Sequence, residues 1–179
     1  MSELAEAIRR FVSFLSQHRW EYMVIGGHAL PFYGRIRVTL NIDMAVSIGS
    51  EEEYDELCRR AIDDGYEVRL RSFSNPGCIF LDTASGYEVE VWIRPDGIEW
   101  DRETLERRRR KNLAGTEAWI VSPEDFIVSK LARPDRGAID EQDVKSVLER
   151  DDVDLDWEYL ERRARKHGVW NTLQAIKKS

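Results

Sequence analysis

Cysteine is scarce. Cys58 and Cys78 are the only two, well separated along the chain. That excludes a disulfide-stapled scaffold and a cysteine metal cluster, and the expectation is two reduced, part-buried thiols. No apolar run approaches the length needed to span a bilayer, and no secretory-type apolar segment opens the sequence, so a cytoplasmic protein with no membrane partner is expected. Positive charge is in the minority as well. With 27 Lys and Arg against 34 Asp and Glu, the net charge is -7, so whole-surface attraction to nucleic acid is excluded and only a local basic patch remains open. Internal repeats and low-complexity tracts are absent. What is present is 179 residues, 42% hydrophobic and 34% charged, enough for one globular unit or a core with a helical appendage.

Hydrophobic periodicity divides the chain into elements. Leu4, Ile8, Phe11, Val12 and Leu15 recur at helical spacing over residues 3–18. Ser50 with Glu53 reads as a capping box opening a helix over Glu51 to Asp63, which ends before Gly65. Tyr66 to Phe73 alternates as a strand, and Cys78 to Leu81 with Tyr87 to Ile93 reads as a hairpin around Ala84-Ser85-Gly86. Asp101 to Lys111 reads as one charged helix, and Ala118 to Val121 as a short strand. Ser122-Pro123-Glu124-Asp125 supplies an N-cap, a proline at the first helical position and first-turn acids. Further helices are expected over Ile139 to Arg150 and about Trp157 to His167. A composition shift near Gly115 divides an α/β core, residues 1–115, from a helical region, residues 116–179, packed on it.

One stretch organises the chemistry: Tyr22 to Ile48, YMVIGGHALPFYGRIRVTLNIDMAVSI. It reads as strand, Gly26-Gly27 turn, short helix His28 to Tyr33, loop, then strand Asn41 to Ile48. Residues i and i+2 of a strand face the same way, so Asn41 and Asp43 project side by side. Glu88 and Glu90 share a face on a later strand. Nucleotidyl transfer asks the protein for positioning and for carboxylates that hold divalent cations, and magnesium prefers oxygen ligands. Asp43, Glu90 (or Glu88) and the neutral Asn41 are the candidates.

Gly26-Gly27, thirteen intervening residues, then Asn41-Ile42-Asp43-Met44 resembles the signature of the polymerase-beta-type nucleotidyltransferase superfamily. The longer run Val24 to Leu30 with Tyr33-Gly34 and Arg37-Val38-Thr39 is similar to the subgroup of abortive-infection nucleotidyltransferase toxins and minimal nucleotidyltransferases. A second block, Val121 to Ile127, Lys130, then Asp140 and Asp143, follows in that subgroup's order. The resemblance implies an α/β (α+β) fold with a mixed central sheet, flanking helices and a C-terminal helical layer. It implies Mg2+ as cofactor and an NTP as substrate. Gly26 and Gly27 would contact the triphosphate through backbone N–H groups, with Arg37 and Thr39 contacting phosphate or bracing the loop. Asp43 would ligate magnesium, Glu90 would be the third acid acting on the incoming hydroxyl, Lys130 would serve the triphosphate, and Asp140 and Asp143 would sit at the mouth of the site. Implied partners are an RNA or protein acceptor and an antitoxin-like protein.

Asn41 departs from the pattern, which has an acid there. An amide brings oxygen without charge, and a degenerate binding module, a one-metal enzyme and an engineered change all fit it. Other readings stay open too. Asp140 and Asp143 equally suit the first turn of the next helix. The Arg107 to Lys111 run is either a solvated helix face or the local patch an RNA-binding protein needs, with Arg162 to Lys166 and Lys177-Lys178 as a looser second patch. His28 reads as a packing residue, and His18 and His167 as surface.

Overall fold

The computed structural model describes residues 2–178. The chain divides into two compact units, both built from discontinuous segments. The first holds the chain up to Val24, Thr39–Arg94 and Arg109–Ile120; the second holds Ile25–Val38, Pro95–Arg108 and the chain from Val121 onward.

In the first unit seven strands form one mixed sheet: β1 (Tyr22–Val24), β2 (Ile42–Val46), β3 (Tyr66–Arg69), β4 (Gly77–Asp82), β5 (Glu88–Trp92), β6 (Arg109–Leu113) and β7 (Thr116–Ile120). Their spatial order is β3-β4-β5-β2-β1-β7-β6. β2 pairs parallel with β5, and β1 parallel with β7; the other pairs are antiparallel. β1 and β2 are almost continuously apolar and buried, and β5 buries one face: Ile42, Met44, Ala45, Val46, Val89 and Val91 are all fully buried.

Helix α1 (Glu3–Gln17) starts where Ser2 Oγ accepts the Ala5 N–H and buries its periodic stripe. Phe11 is its anchor, with ring centroids 5.4 Å from Tyr66 and 5.6 Å from Phe80, both edge-on. Arg10 donates to both carboxylate oxygens of the buried Asp82, at 2.7 and 3.0 Å. Helix α3 (Glu51–Asp63) begins as expected at Ser50, whose hydroxyl accepts the Glu53 N–H at 3.2 Å. The return bond goes one residue upstream: Gly49 N–H donates to Glu53 Oε2 at 2.7 Å. Replacing this cap by Ser50→Ala is expected to cost about 1 kcal/mol in urea denaturation. Both cysteines are buried, and burial pushes the Cys78 thiol up to about 11, so both are inert packing residues.

Three expectations are corrected here. The strand expected to reach Phe73 stops at Arg69, because Leu70 takes a left-handed backbone with φ of 55°. The helix expected over Asp101 to Lys111 stops at Arg107 (α4, Arg102–Arg107), and the rest of the arginine run becomes β6. Ala114 and Gly115, with φ of 52° and 89°, link β6 to β7. That is a two-residue hairpin turn whose twist suits antiparallel pairing, and ladder formation with β7 outweighs the helix propensity of the arginines. The third correction is an additional last helix, α8 (Trp170–Lys178).

The second unit is helical: α2 (Gly26–Ala29) running into a 3-10 turn over Leu30–Phe32, then α4, α5 (Pro123–Ala132), α6 (Ala138–Leu148), α7 (Trp157–Lys166) and α8. Helix α5 packs against α6 and α7 and is buried nearly all round. Its Asp125 carboxylate is tied to α7, accepting from Tyr159 Oη at 2.9 Å and Arg163 Nε at 3.1 Å.

Candidate functional site

Two groups of the expected residues form, one within each unit. In the first, the parallel register of β2 and β5 sets Asp43 directly opposite Glu90. Paired residues on neighbouring strands face the same side, so the two carboxylates share a face. Asp43 is the one residue of β2 that is not buried. Trp92, two residues beyond Glu90, donates its indole N–H to Asp43 Oδ1 at 3.4 Å. Glu88, on the same strand, is paired with Arg69 at 2.9 Å.

Asn41 lies one residue before β2 rather than within it. Its side-chain amide donates to Glu90 Oε1 at 2.8 Å. An ionised aspartate has no proton to donate in this way. A carboxylate at position 41 would face Glu90 with like charge, a repulsion of roughly 1–4 kcal/mol at 4 Å unless a cation lay between them. Thr39 contributes a long 3.4 Å hydroxyl bond to the Asn41 carbonyl.

The second group lies within the helical unit. Gly26 opens α2 with φ of 63°, a left-handed conformation that favours glycine. No side chain caps the N–H groups of that first turn. Among the expected residues, Arg37, Lys130, Asp140 and Asp143 come together. Lys130, on α5, is 5% exposed and sits 3.1 Å from Asp140 Oδ1 and 3.3 Å from Asp143 Oδ2, both on α6. Asp143 is fully buried and also holds Arg35 at 2.7 Å and Arg37 at 3.3 Å. Asp140 doubles as a helix-start residue, accepting the Gly137 N–H at 3.2 Å. Three cations therefore converge on one buried carboxylate. Burial lowers the pKa of His28, which favours its neutral form.

Arg35 and Ser146 escaped the sequence reading. Arg35 donates to Asp143 through its side chain, and its backbone N–H donates to Ser146 Oγ at 3.0 Å. Arg35 and Arg37 alternate with Ile36 and Val38, both 87% exposed, the reverse of the apolar-inside alternation that a sequence suggests. In the looser basic patch Arg162 is held by Glu103, Arg163 by Asp125, Arg165 by Glu161 and Lys166 by Glu99, while Lys177 lies over the Trp157 ring.

Residues 4–169 match the model of a family described as nucleotidyl transferase of unknown function (DUF2204). The chain belongs to this nucleotidyl transferase family. No curated relative matches it over its sequence. Among solved structures, the chain is similar to the antibiotic-resistance factor ANT(2'')-Ia, with a TM-score of 0.56 and 12% identity over 98% of this chain and 89% of that one. An antigenic nucleotidyltransferase-like protein from Paracoccidioides brasiliensis gives 0.56 and 17%, over 98% and 93% of the two chains. The lincosamide antibiotic adenylyltransferase LnuA, lincomycin-bound, gives 0.52 and 13%, over 82% and 95%. These likenesses show the expected fold: mixed α/β with a nucleotidyltransferase-type sheet. No helix among the described residues is long and apolar enough to cross a membrane.

The donor set suits magnesium. No group of three or more His, Cys, Asp or Glu side chains gathers around one point among the described residues. Magnesium needs fewer, because it binds through one or two carboxylates together with substrate phosphates. Asp43 and Glu90 supply two, and the Asn41 amide stands beside them.

Proposed function

We propose that this nucleotidyl transferase binds a magnesium-bound nucleoside triphosphate and transfers the nucleotidyl group to an acceptor hydroxyl. The observation that carries the reading is Asp43, the one residue of the apolar strand β2 that is not buried, set directly opposite Glu90 so that two carboxylates share a face. Asp43 and Glu90 would hold the cation, with Asn41 as a neutral third donor, and a bound magnesium would supply neutralisation of charge on the triphosphate. Gly26 and Gly27 offer backbone N–H groups to phosphate. Glu90 takes the proton from the acceptor hydroxyl as the hydroxyl oxygen bonds to the α-phosphorus, and pyrophosphate departs as the bond from the α-phosphorus to the oxygen bridging it to the β-phosphate breaks. Lys130 acts as a positioning residue: it neutralises Asp140 and Asp143, which in turn hold Arg35 and Arg37. Thr39 and Arg37 brace the segment leading into β2.

The acceptor is an RNA or protein hydroxyl, or a small molecule of the antibiotic class handled by ANT(2'')-Ia and LnuA. A second reading rests on the Asn41–Glu90 hydrogen bond, which satisfies Glu90 without any cation. In that reading the chain binds nucleotide without turnover, in the manner of one member of a toxin–antitoxin pair.

A labelled-NTP transfer assay with magnesium, run on the parent and on Asn41→Asp, tests the proposal. Asn41→Asp adds one negative charge beside the cation and is expected to tighten magnesium binding by about tenfold, ~1.4 kcal/mol. Without magnesium the same variant melts below the parent, and magnesium restores the difference. Failure of both forms to bind magnesium–ATP or magnesium–CTP by calorimetry overturns both readings; binding without transfer selects the second.

A further inference from the structure

Most arginines of this chain are neutralised in place. Arg10 lies 2.7 Å from Asp82, Arg71 lies 2.7 Å from Asp55, and Arg107, the first residue of the basic run, lies 2.8 Å from Asp156. Strand β6 breaks this pattern. Arg109, Arg110 and Lys111 are consecutive and exposed, and among the described residues none of them has a carboxylate partner. β6 is also the terminal strand of the sheet, so one of its edges is unpaired. The only acid on the whole β6–β7 hairpin is Glu117, opposite Asn112.

Strand alternation places Arg109 and Lys111 on one face and Arg110 on the other, so the cations line the edge from both sides. Arg110 is paired in register with Trp119, its guanidinium carbon 5.5 Å from the ring centroid. The edge therefore combines three unneutralised cations with an aromatic ring in a protein whose net charge is -7.

We infer that the β6 edge binds the phosphodiester backbone of a single-stranded nucleic acid, with the Arg110–Trp119 pair as a stacking point for a base. Charge complementarity selects a polyanion. The cation–aromatic pair selects nucleic acid over an acidic peptide, because every base offers a π-face to a ring or a guanidinium plane, whereas carboxylate side chains offer none. Binding at β6 requires neither the NTP nor the metal and stands apart from the transfer reading; it narrows the acceptor toward RNA only if that reading also holds.

The test is fluorescence anisotropy of the full chain with a labelled single-stranded RNA of about 20 nucleotides and a DNA of the same sequence, without NTP or magnesium, across a salt series. The triple variant Arg109→Gln, Arg110→Gln, Lys111→Gln is expected to bind on the order of tenfold or more weakly at low salt and to lower the log–log salt slope by about 2, as loss of three phosphate contacts on a single strand requires. The variant Arg9→Gln, Arg59→Gln, Arg102→Gln changes net charge equally on ion-paired surface arginines and is expected to bind as the parent does. Arg110→Gln alone should weaken binding with a slope change of less than 1. Circular dichroism confirms folding of each form. Several results overturn the inference: no binding by the parent, equal loss in the control variant, or poly-glutamate bound as tightly as RNA. A triple variant that keeps its RNA affinity but self-associates on gel filtration also overturns it, assigning the cations to protection of the sheet edge. RNA and DNA arms that differ identify which nucleic acid is preferred.

Discussion

Asp43→Asn is expected to lower nucleotidyl transfer by about three orders of magnitude, the loss that follows when several kcal/mol of charge stabilisation by a bound cation is removed. The substitution preserves shape. Asparagine can still accept the Trp92 indole N–H that now reaches Asp43 Oδ1 at 3.4 Å, and β2 keeps its buried residues Ile42, Met44, Ala45 and Val46. What disappears is charge. With Asn41 already neutral, the variant leaves Glu90 as the only carboxylate among the three oxygen donors. Magnesium affinity by calorimetry is expected to fall with the rate, while the melting temperature in metal-free buffer stays within a degree or two. The metal-binding arm keeps the prediction informative if turnover is absent in the parent, because the binding-module reading also needs Asp43 to hold the cation. Transfer within tenfold of the parent, together with unchanged magnesium affinity, would remove Asp43 from the site.

Much of this arrangement was legible in the residues. An acid inside a run of Ile, Met, Ala and Val has few structural reasons to be there, and Asp43 is the residue of β2 that escapes full burial. The alternation of Glu88 and Glu90 marked their strand but not their partners, which only the register shows: Glu90 lies across from Asp43, and Glu88 is held by Arg69. The Asn41–Glu90 bond was likewise invisible, since it joins residues brought together by parallel pairing of strands distant in sequence. The arginine run misled because local composition favours a helix, whereas the chain there is governed by a ladder with β7 and by two left-handed residues at Ala114 and Gly115. An Ala-Gly turn is a weak hairpin signal beside Asn-Gly or Asp-Gly. In the helical unit, the sequence order of Lys130, Asp140 and Asp143 suggested a shared location. Their burial was not readable, because the cations that make burial of Asp143 tolerable include Arg35, supplied from more than a hundred residues upstream.

That buried cluster leads to the largest expected stability change in the chain. Asp143 is fully buried and is the common counter-charge of Arg35, Arg37 and Lys130, at 2.7, 3.3 and 3.3 Å. Removing one partner of a buried ion pair leaves charge without compensation, which typically costs 3–5 kcal/mol. Two of the three cations reach solvent, with Arg35 35% and Arg37 31% exposed in their side chains, so they can rehydrate and the lower end applies. Asp143→Asn is therefore expected to destabilise the protein by about 3 kcal/mol, a fall in melting temperature of roughly 6–12 °C for a chain of this size. Lys130 responds differently. It is 6% exposed in its side chain, yet Lys130→Met leaves Asp143 with two arginines and puts an apolar side chain of similar length among buried neighbours, so a loss of about 1–2 kcal/mol is expected. Combined, the two substitutions should cost less than their sum by about 1 kcal/mol, because each removes the charge that the other would strand. A double-mutant cycle in urea measures this directly. Strict additivity, or a melting temperature for Asp143→Asn within 2 °C of the parent, would mean that Arg35 and Arg37 are organised by something other than this carboxylate.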